Sequence, residues 1–199
     1  MFHQKYHNDL VCDAYLNLYD ACNIGCSFCK FHSKVRSTKK TPISWNSYRN
    51  QKVLVCYSVD PYPLGYDLNL VPEVILKLHQ RDCSIVFLTR RAQCLISDLD
   101  CFNSKDCVGV SISEKGNQNS PLEEIDRLFA LAKRKQLSTW ISLEPVMSFS
   151  FVKEVLDRYA SVVDWIRIGK NDLTGELQGW QLLKQQILSL SLPNVLVKD

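Results

Sequence analysis

The stretch NLVPEVILKLHQRDCSIVFLT (69–89) joins two different hydrophobic patterns. In its first part, NLVPEVILKLHQR (69–81), apolar residues recur at the spacing of an amphipathic helix. Its second part, SIVFLT (84–89), is a short and nearly continuous apolar run. Such runs are typical of strands that are covered on both faces, as in parallel sheets. The stretch therefore predicts a helix followed by a buried parallel strand.

The same alternation repeats along the chain. Further strand-like runs are AYLNLY (14–19), VLVCYS (53–58), VGVSIS (108–113), STWISLE (138–144), DWIRIG (164–169) and NVLV (194–197). Helical spacing recurs in PLEEIDRLFALAKRK (121–135), SFVKEVLDRYA (150–160) and WQLLKQQILSL (180–190). About six strand–helix repeats predict an α/β fold with a parallel sheet and right-handed crossovers. A doubly wound open sheet and a partly or wholly closed β/α barrel both satisfy this pattern.

Two local signals refine this prediction. Ser120, Pro121 and Glu123 form a capping-box pattern that would begin the helix of 121–135. The least regular region is 30–51, where we expect a loop with one short helix near SWNSYRN (44–50).

Composition indicates a single domain over 1–199 that buries its core without disulfides. The chain is 46% hydrophobic and 23% charged, as ordinary globular proteins are. Its net charge of +3 gives no strong argument for nucleic-acid, membrane or acidic partners. The N-terminal residues lack the apolar segment of a secretory signal, and no run of 18 apolar residues occurs, so we expect a cytoplasmic protein. Nine cysteines are an odd number, and we expect them to be reduced.

Three cysteines fall within eight positions in ACNIGCSFCK (21–30), directly after the first predicted strand. Gly25 allows the turn that lets Cys22, Cys26 and Cys29 converge on one inorganic centre. Four interpretations are open. These are structural zinc with His32 or another cysteine as fourth ligand, an electron-transfer [4Fe–4S] cluster with four cysteines, cysteines that only pack, and a cluster whose fourth iron is left open to a reacting molecule.

The C-x3-C-x2-C loop, with the aromatic Phe28 just before its third cysteine, resembles the signature loop of radical S-adenosylmethionine (radical SAM) enzymes. The resemblance implies a partial (β/α)6 TIM-like barrel with the cluster loop after the first strand. It also implies that Cys22, Cys26 and Cys29 hold a [4Fe–4S] cluster whose open iron binds S-adenosylmethionine. An electron donor such as flavodoxin or ferredoxin would reduce the cluster. Cleavage of the sulfonium would then yield a 5′-deoxyadenosyl radical that abstracts hydrogen from a substrate.

Weaker similarities point to one branch of that family. The segments CYSVDPYPLGYDL (56–68), VFLTRRAQCLISDLDCF (86–102), VGVSIS (108–113) and ISLEPV (141–146) resemble the spore photoproduct lyase-like branch and small phage-associated radical SAM proteins. The resemblance implies cofactor contacts from Phe28 to the adenine, from Ser58 and Asp60 near the amino group, from Arg90 to the carboxylate, and from Ser111 to the ribose or carboxylate. Glu144, which ends its strand, is a further candidate for contact with cofactor or substrate.

Polar residues cluster where the predicted strands end, and a parallel sheet brings such ends to one edge. They are Asp20, Ser58, Asp60, Thr89, Arg90, Ser111, Ser113, Glu144 and 170–172. The sequence assigns no catalytic residue and no substrate, although nucleic acid, a nucleotide or a partner protein fits the resemblance. Thymine-dimer repair is not expected, because spore photoproduct lyase is considerably longer and uses an additional cysteine and tyrosines. The alternatives are a glycyl-radical activase acting on a partner protein and a non-enzymatic zinc or iron–sulfur binding module.

Overall fold

The computed structural model describes residues 12–26, 39–56, 58–114, 120–170 and 179–198. Seven strands alternate with five α-helices. The strands are β1 (Ala14–Leu16), β2 (Lys52–Val55), β3 (Ser84–Thr89), β4 (Cys107–Ile112), β5 (Ser138–Leu143), β6 (Trp165–Ile168) and β7 (Val195–Val197). The helices are α1 (Leu70–His79), α2 (Ala92–Asp98), α3 (Leu122–Arg134), α4 (Phe149–Tyr159) and α5 (Trp180–Ser189), with short 3-10 turns at Trp45–Ser47 and Leu99–Cys101.

All seven strands form one parallel sheet, in which each strand is hydrogen-bonded to its neighbour in the sequence. This confirms the α/β class and the parallel sheet. A doubly wound sheet reverses its strand order at a switch point, whereas the order here runs from β1 to β7 without reversal. Successive right-handed crossovers in one direction place their helices on the same face of a sheet. The strand order therefore gives the sheet one face that carries helices and one that does not.

The buried residues fall into two clusters that match these two faces. The larger cluster contains the buried side chains of all five helices together with alternate strand residues such as Val53, Phe87 and Ile141. The smaller cluster consists of Leu54, Val86, Cys107 and Trp140, and no helix residue belongs to it. Because successive side chains of a strand point to opposite faces, the smaller cluster lies on the face away from the helices. We call this face the inner face.

Trp140 occupies the inner face over a glycine of the neighbouring strand. Gly109 pairs with Trp140 in the register of β4 and β5, and a Cβ atom at position 109 would overlap the indole ring. The indole Nε1 donates to the carbonyl oxygen of Phe87 on β3, at 3.1 Å. The ring thus spans β4, and only glycine at position 109 leaves room for it.

Most predicted elements are confirmed with small shifts at their ends, while three details differ. The first strand ends at Leu16, before the predicted end at Tyr19. Tyr19 forms an antiparallel bridge with Lys40 and does not pair with β2. The capping box is wrong, since helix α3 begins after Pro121 without a side-chain cap. The hydroxyl of Ser120 instead accepts from the Ala92 amide and donates to the Arg90 carbonyl, both at 2.7 Å. Helix α2, only seven residues long, is not among the predicted helices.

Within the described ranges, no helix is long and apolar enough to cross a membrane. No disulfide joins any two of the eight described cysteines.

Replacing Gly109 with alanine is expected to lower the free energy of unfolding by about 1–3 kcal/mol, because the added methyl overpacks against the Trp140 indole. Urea denaturation measures the change. In a Trp140→Leu background the same Gly109→Ala substitution should be less destabilising, since the overlapping ring is gone and only the contact with the carbonyl oxygen of residue 140 remains. Equal losses in both backgrounds would contradict this account of the inner face.

Candidate functional site

Two of the three loop cysteines lie within the described residues, on the segment that follows β1. Cys22 is half-buried and Cys26 is only 7% exposed. Gly25, between them, has a positive φ of 90°, as the predicted turn requires. Cys29 and Phe28 lie outside the described residues, and so do His32 and residues 171–172. No group of three metal-ligating side chains is found among the residues that are described, a set that lacks Cys29.

The cysteine segment is fastened to the segment that follows β2. The Asn23 side chain donates to the Leu64 carbonyl at 3.1 Å and accepts from the Leu64 amide at 2.7 Å. Closer to the sheet, the side-chain oxygen of Asn17 accepts from the Ser58 amide at 3.1 Å. The structure therefore places Ser58 beside the end of β1, and this contact uses its backbone amide.

Cys56, the residue after β2, combines burial with an unusual backbone conformation. Its φ of 65° lies in the left-handed region, which residues other than glycine seldom adopt. Burial raises the pKa of its thiol far above the ordinary value, and the charge of Cys22 adds to this effect. The thiol therefore stays protonated near the loop cysteines. The cysteine spacing gives no signal for Cys56, because only the fold brings it close to Cys22.

Asp60 links the ends of β2 and β3. Its Oδ1 accepts from the Tyr62 amide and the Thr89 hydroxyl, both at 2.9 Å, and its Oδ2 accepts from the Arg90 amide at 2.7 Å. Burial raises the pKa of the Asp60 carboxyl, while these donors and the Arg90 charge oppose that shift. Both carboxyl oxygens are thus engaged in holding the strand ends together.

Arg90 extends this network across two more strands. The residue is only 9% exposed, so it is not a surface charge. Its Nη1 donates to the Ser113 hydroxyl at 3.0 Å, and its Nη2 donates to the Glu144 carbonyl at 3.3 Å. The guanidinium therefore spans the carboxyl ends of β3, β4 and β5.

The Glu144 side chain forms an ion pair with a residue after the last strand. Its Oε2 lies 2.5 Å from the Nζ of Lys198, and both side chains are about one quarter exposed. The pair passes over Gly169, where a Cβ atom would lie 2.9 Å from the Glu144 carboxyl carbon and from a Lys198 side-chain carbon. The absence of a side chain at Gly169 allows Glu144 and Lys198 to meet across β6.

The strand ends thus bring together five of the predicted polar residues, which are Asp60, Thr89, Arg90, Ser113 and Glu144. Asp20 is not part of this network, because it is exposed and its carboxylate accepts from the Lys39 amide at 2.8 Å. Ser111 lies one step deeper, in register with Ser142 of β5. The sequence analysis missed Lys198, although its position directly after β7 is the same signal that identified Glu144 after β5.

No protein-family model and no curated protein matches this chain.

Asp60→Asn is expected to lower the free energy of unfolding by about 1–3 kcal/mol. An amide nitrogen cannot accept a hydrogen bond, so one of the donors from Tyr62, Thr89 or Arg90 loses its acceptor in a buried place. Urea denaturation of wild type and variant measures the difference.

The matched control is Asp100→Asn, because the Asp100 side chain is 96% exposed and pairs only with Lys135 at the surface. That change should stay within about 0.5 kcal/mol of wild type. If the two variants were equally stable, Asp60 would not hold the strand ends together.

Proposed function

We propose that this chain is a radical SAM enzyme that cleaves S-adenosylmethionine reductively at a [4Fe–4S] cluster bound by Cys22, Cys26 and Cys29. The observation that carries the proposal is the position of Cys22 and Cys26. They follow β1 at the edge of the sheet where the buried Arg90 and its polar partners gather. A thiol loop and a guanidinium at the same edge suit a cofactor that has both a metal-binding end and a carboxylate.

The proposal includes a partial (β/α)6 TIM-like barrel. One supporting observation is that the inner cluster of Leu54, Val86, Cys107 and Trp140 is buried, although no described helix residue belongs to it. A sheet that curls around its own inner face accounts for that burial. The sequential strand order without a switch point agrees with this shape.

A second observation supports the curvature. Burial raises the pKa of the Cys12 thiol to about 11, and the charges of Lys52 and of Arg167 on β6 oppose that shift. Cys12 lies beside β1, and in a flat sheet β1 and β6 would be about 24 Å apart. The nearness of Arg167 to Cys12 supports the proposal that the first and sixth strands lie much closer than that.

The donor set fits an iron–sulfur cluster. Cysteine thiolates are the usual ligands of such clusters, and neither Cys22 nor Cys26 forms a disulfide. Cys26 is buried, so a cluster on this loop would be partly shielded from water. Cys29 would supply the third thiolate, and Phe28 would lie next to it in the sequence.

When bound, the cluster and S-adenosylmethionine would supply one electron and the sulfonium whose cleavage gives methionine and a hydrogen-abstracting 5′-deoxyadenosyl radical. A reduced flavodoxin or ferredoxin would provide that electron. The work left to the protein is to bind, orient and keep the site dry.

The contacts of Arg90 prepare it for a carboxylate. Its guanidinium is held by Ser113 and by the Glu144 carbonyl, so its orientation is fixed before any ligand arrives. Asp60 is better suited to positioning Arg90 than to holding the amino group, because both its oxygens already accept hydrogen bonds. Ser58 and Ser111 remain candidates for contacts with the amino group and the ribose. The catalytic residues stay unassigned.

The substrate is proposed only by class. The similarity to the spore photoproduct lyase-like branch favours nucleic acid or a nucleotide, and a partner protein is the alternative, as a glycyl-radical activase would require.

The direct test is formation of 5′-deoxyadenosine by anaerobically reconstituted protein with S-adenosylmethionine and dithionite, measured by liquid chromatography. Wild type should form it, and Cys26→Ala should lose both the cluster absorbance and the product. Cys101→Ala is the matched control, because Cys101 lies in the turn after α2, far from the loop in sequence, and should keep both.

Two results would overturn the proposal. The first is that wild-type protein fully loaded with iron and sulfide forms no 5′-deoxyadenosine, which would show that the activity is absent. Stoichiometric zinc without iron or sulfide after anaerobic purification would instead favour the non-enzymatic binding module.

A further inference from the structure

The inner face changes from apolar to polar toward the carboxyl ends of its strands. Its floor is the buried apolar cluster that includes Trp140. Above the floor, three polar residues stand side by side on neighbouring strands. The register pairs Ser111 of β4 with Ser142 of β5, and Ser142 with Arg167 of β6. We call these three residues the polar step.

Each of the three residues is flanked along its strand by residues of the larger cluster, which contains the helices. The side chains of the three therefore lie on the inner face. Ser142, for example, lies between Ile141 and Leu143, which both pack in the cluster that contains the helices. Side chains alternate along a strand, so Ser142 points the other way. Ser142 is only 6% exposed and Ser111 and Arg167 are half-buried. Neighbouring strands lie about 4.8 Å apart, so the polar step extends about 10 Å across the sheet.

A second cation lies close to the polar step. Arg167 is in register with Leu196 on β7, and Lys198 follows two residues later on the same face. From ordinary strand spacings, the Cα atoms of Arg167 and Lys198 are about 8 Å apart. The long side chains of both residues can therefore reach one small group, while Glu144 keeps Lys198 at the inner face.

We propose that the polar step, together with Lys198, binds an oxyanion of the substrate, either a carboxylate or a phosphate. A guanidinium fork matches the planar or tetrahedral oxygens of these groups, and serine hydroxyls donate to the same oxygens. The Lys198 ammonium, two residues further toward the opening, is paired with Glu144 and adds further hydrogen-bond donors to the site. The low dielectric of a half-buried site strengthens each of these contacts.

This inference rests on the proposed function and extends it to the substrate. The cofactor would occupy the side of the inner face near the cysteine loop after β1, with Arg90 at the end of β3 as its carboxylate contact. Ser142 and Arg167 of the polar step lie further along the sheet, on β5 and β6, while Ser111 on β4 lies between them and the side assigned to the cofactor. A molecule anchored there by its acidic group would face the cofactor and would not compete for Arg90.

The test is a calorimetric titration of the full, anaerobically reconstituted chain with inorganic phosphate and, separately, with acetate. Wild type should bind at least one of the two. Arg167→Gln should weaken that binding at least tenfold, and Arg167→Lys should be intermediate because a lysine keeps the charge but lacks the fork. Lys153→Gln is the matched control and should bind as wild type, since Lys153 is an exposed residue of α4 paired with Asp157.

Preference for phosphate would assign the substrate to phosphate esters, and preference for acetate would assign it to carboxylic acids. Ser142→Ala removes one oxygen atom and keeps the Cβ, and it should also weaken binding. It provides the test if Arg167 variants fold poorly. The inference is overturned if wild type binds neither anion, or if Arg167→Gln and Ser142→Ala bind as tightly as wild type. No reductant or S-adenosylmethionine is needed, so this result is independent of whether 5′-deoxyadenosine forms.

Discussion

The structure depends on one constraint, which is that seven parallel strands follow one another across the sheet in the order of the sequence. Parallel strands all end at the same edge, so residues far apart in the chain meet there. Asp60 joins the ends of β2 and β3, Arg90 reaches from β3 to β5, and Lys198 bonds to Glu144 across β6. These polar contacts join the ends of neighbouring strands at that edge.

The two faces of the sheet differ in role: the helix-covered face stabilises the fold, and the inner face carries the polar residues of the candidate site. The helix-covered face holds most of the buried apolar side chains and supplies the greater part of the hydrophobic stabilisation. The inner face has an apolar floor that includes Trp140 and polar residues above it. Gly109 and Gly169 are the positions where a missing side chain makes room for the side chains of neighbouring strands. A half-buried polar layer on a rigid sheet holds its charges in place before a ligand binds, as electrostatic binding and catalysis require.

How far the sequence predicts this molecule depends on whether a feature is local. The run SIVFLT appears as β3 at the predicted bounds, and the helices agree to within about two residues at each end, because periodicity is a local property. The capping box failed because the Ser120 hydroxyl bonds instead to the turn between β3 and α2. The ending of β1 also depends on a distant contact, the bridge from Tyr19 to Lys40.

The candidate site shows the same limit. Parallel strands end at one edge of a sheet, and this rule was enough to predict from the sequence that Asp60, Arg90 and Glu144 lie near one another. It did not reveal that Asp60 is fully engaged, nor that Lys198 pairs with Glu144, because both facts depend on which strands are neighbours and on the space left by Gly169. Arg167 and Ser142 are hidden inside apolar runs, and only the register places them side by side.

The central claim is that three cysteines leave one iron of a cubane open to S-adenosylmethionine. Electron–nuclear double resonance on the reduced, reconstituted protein, with S-adenosylmethionine carrying a ¹⁵N-labelled amino group, tests it most directly. The account predicts a hyperfine coupling between the labelled nitrogen and the cluster, present in wild type and lost in Cys26→Ala together with the cluster. A wild-type cubane that shows no such coupling, with four protein ligands filling its corners, would contradict the account.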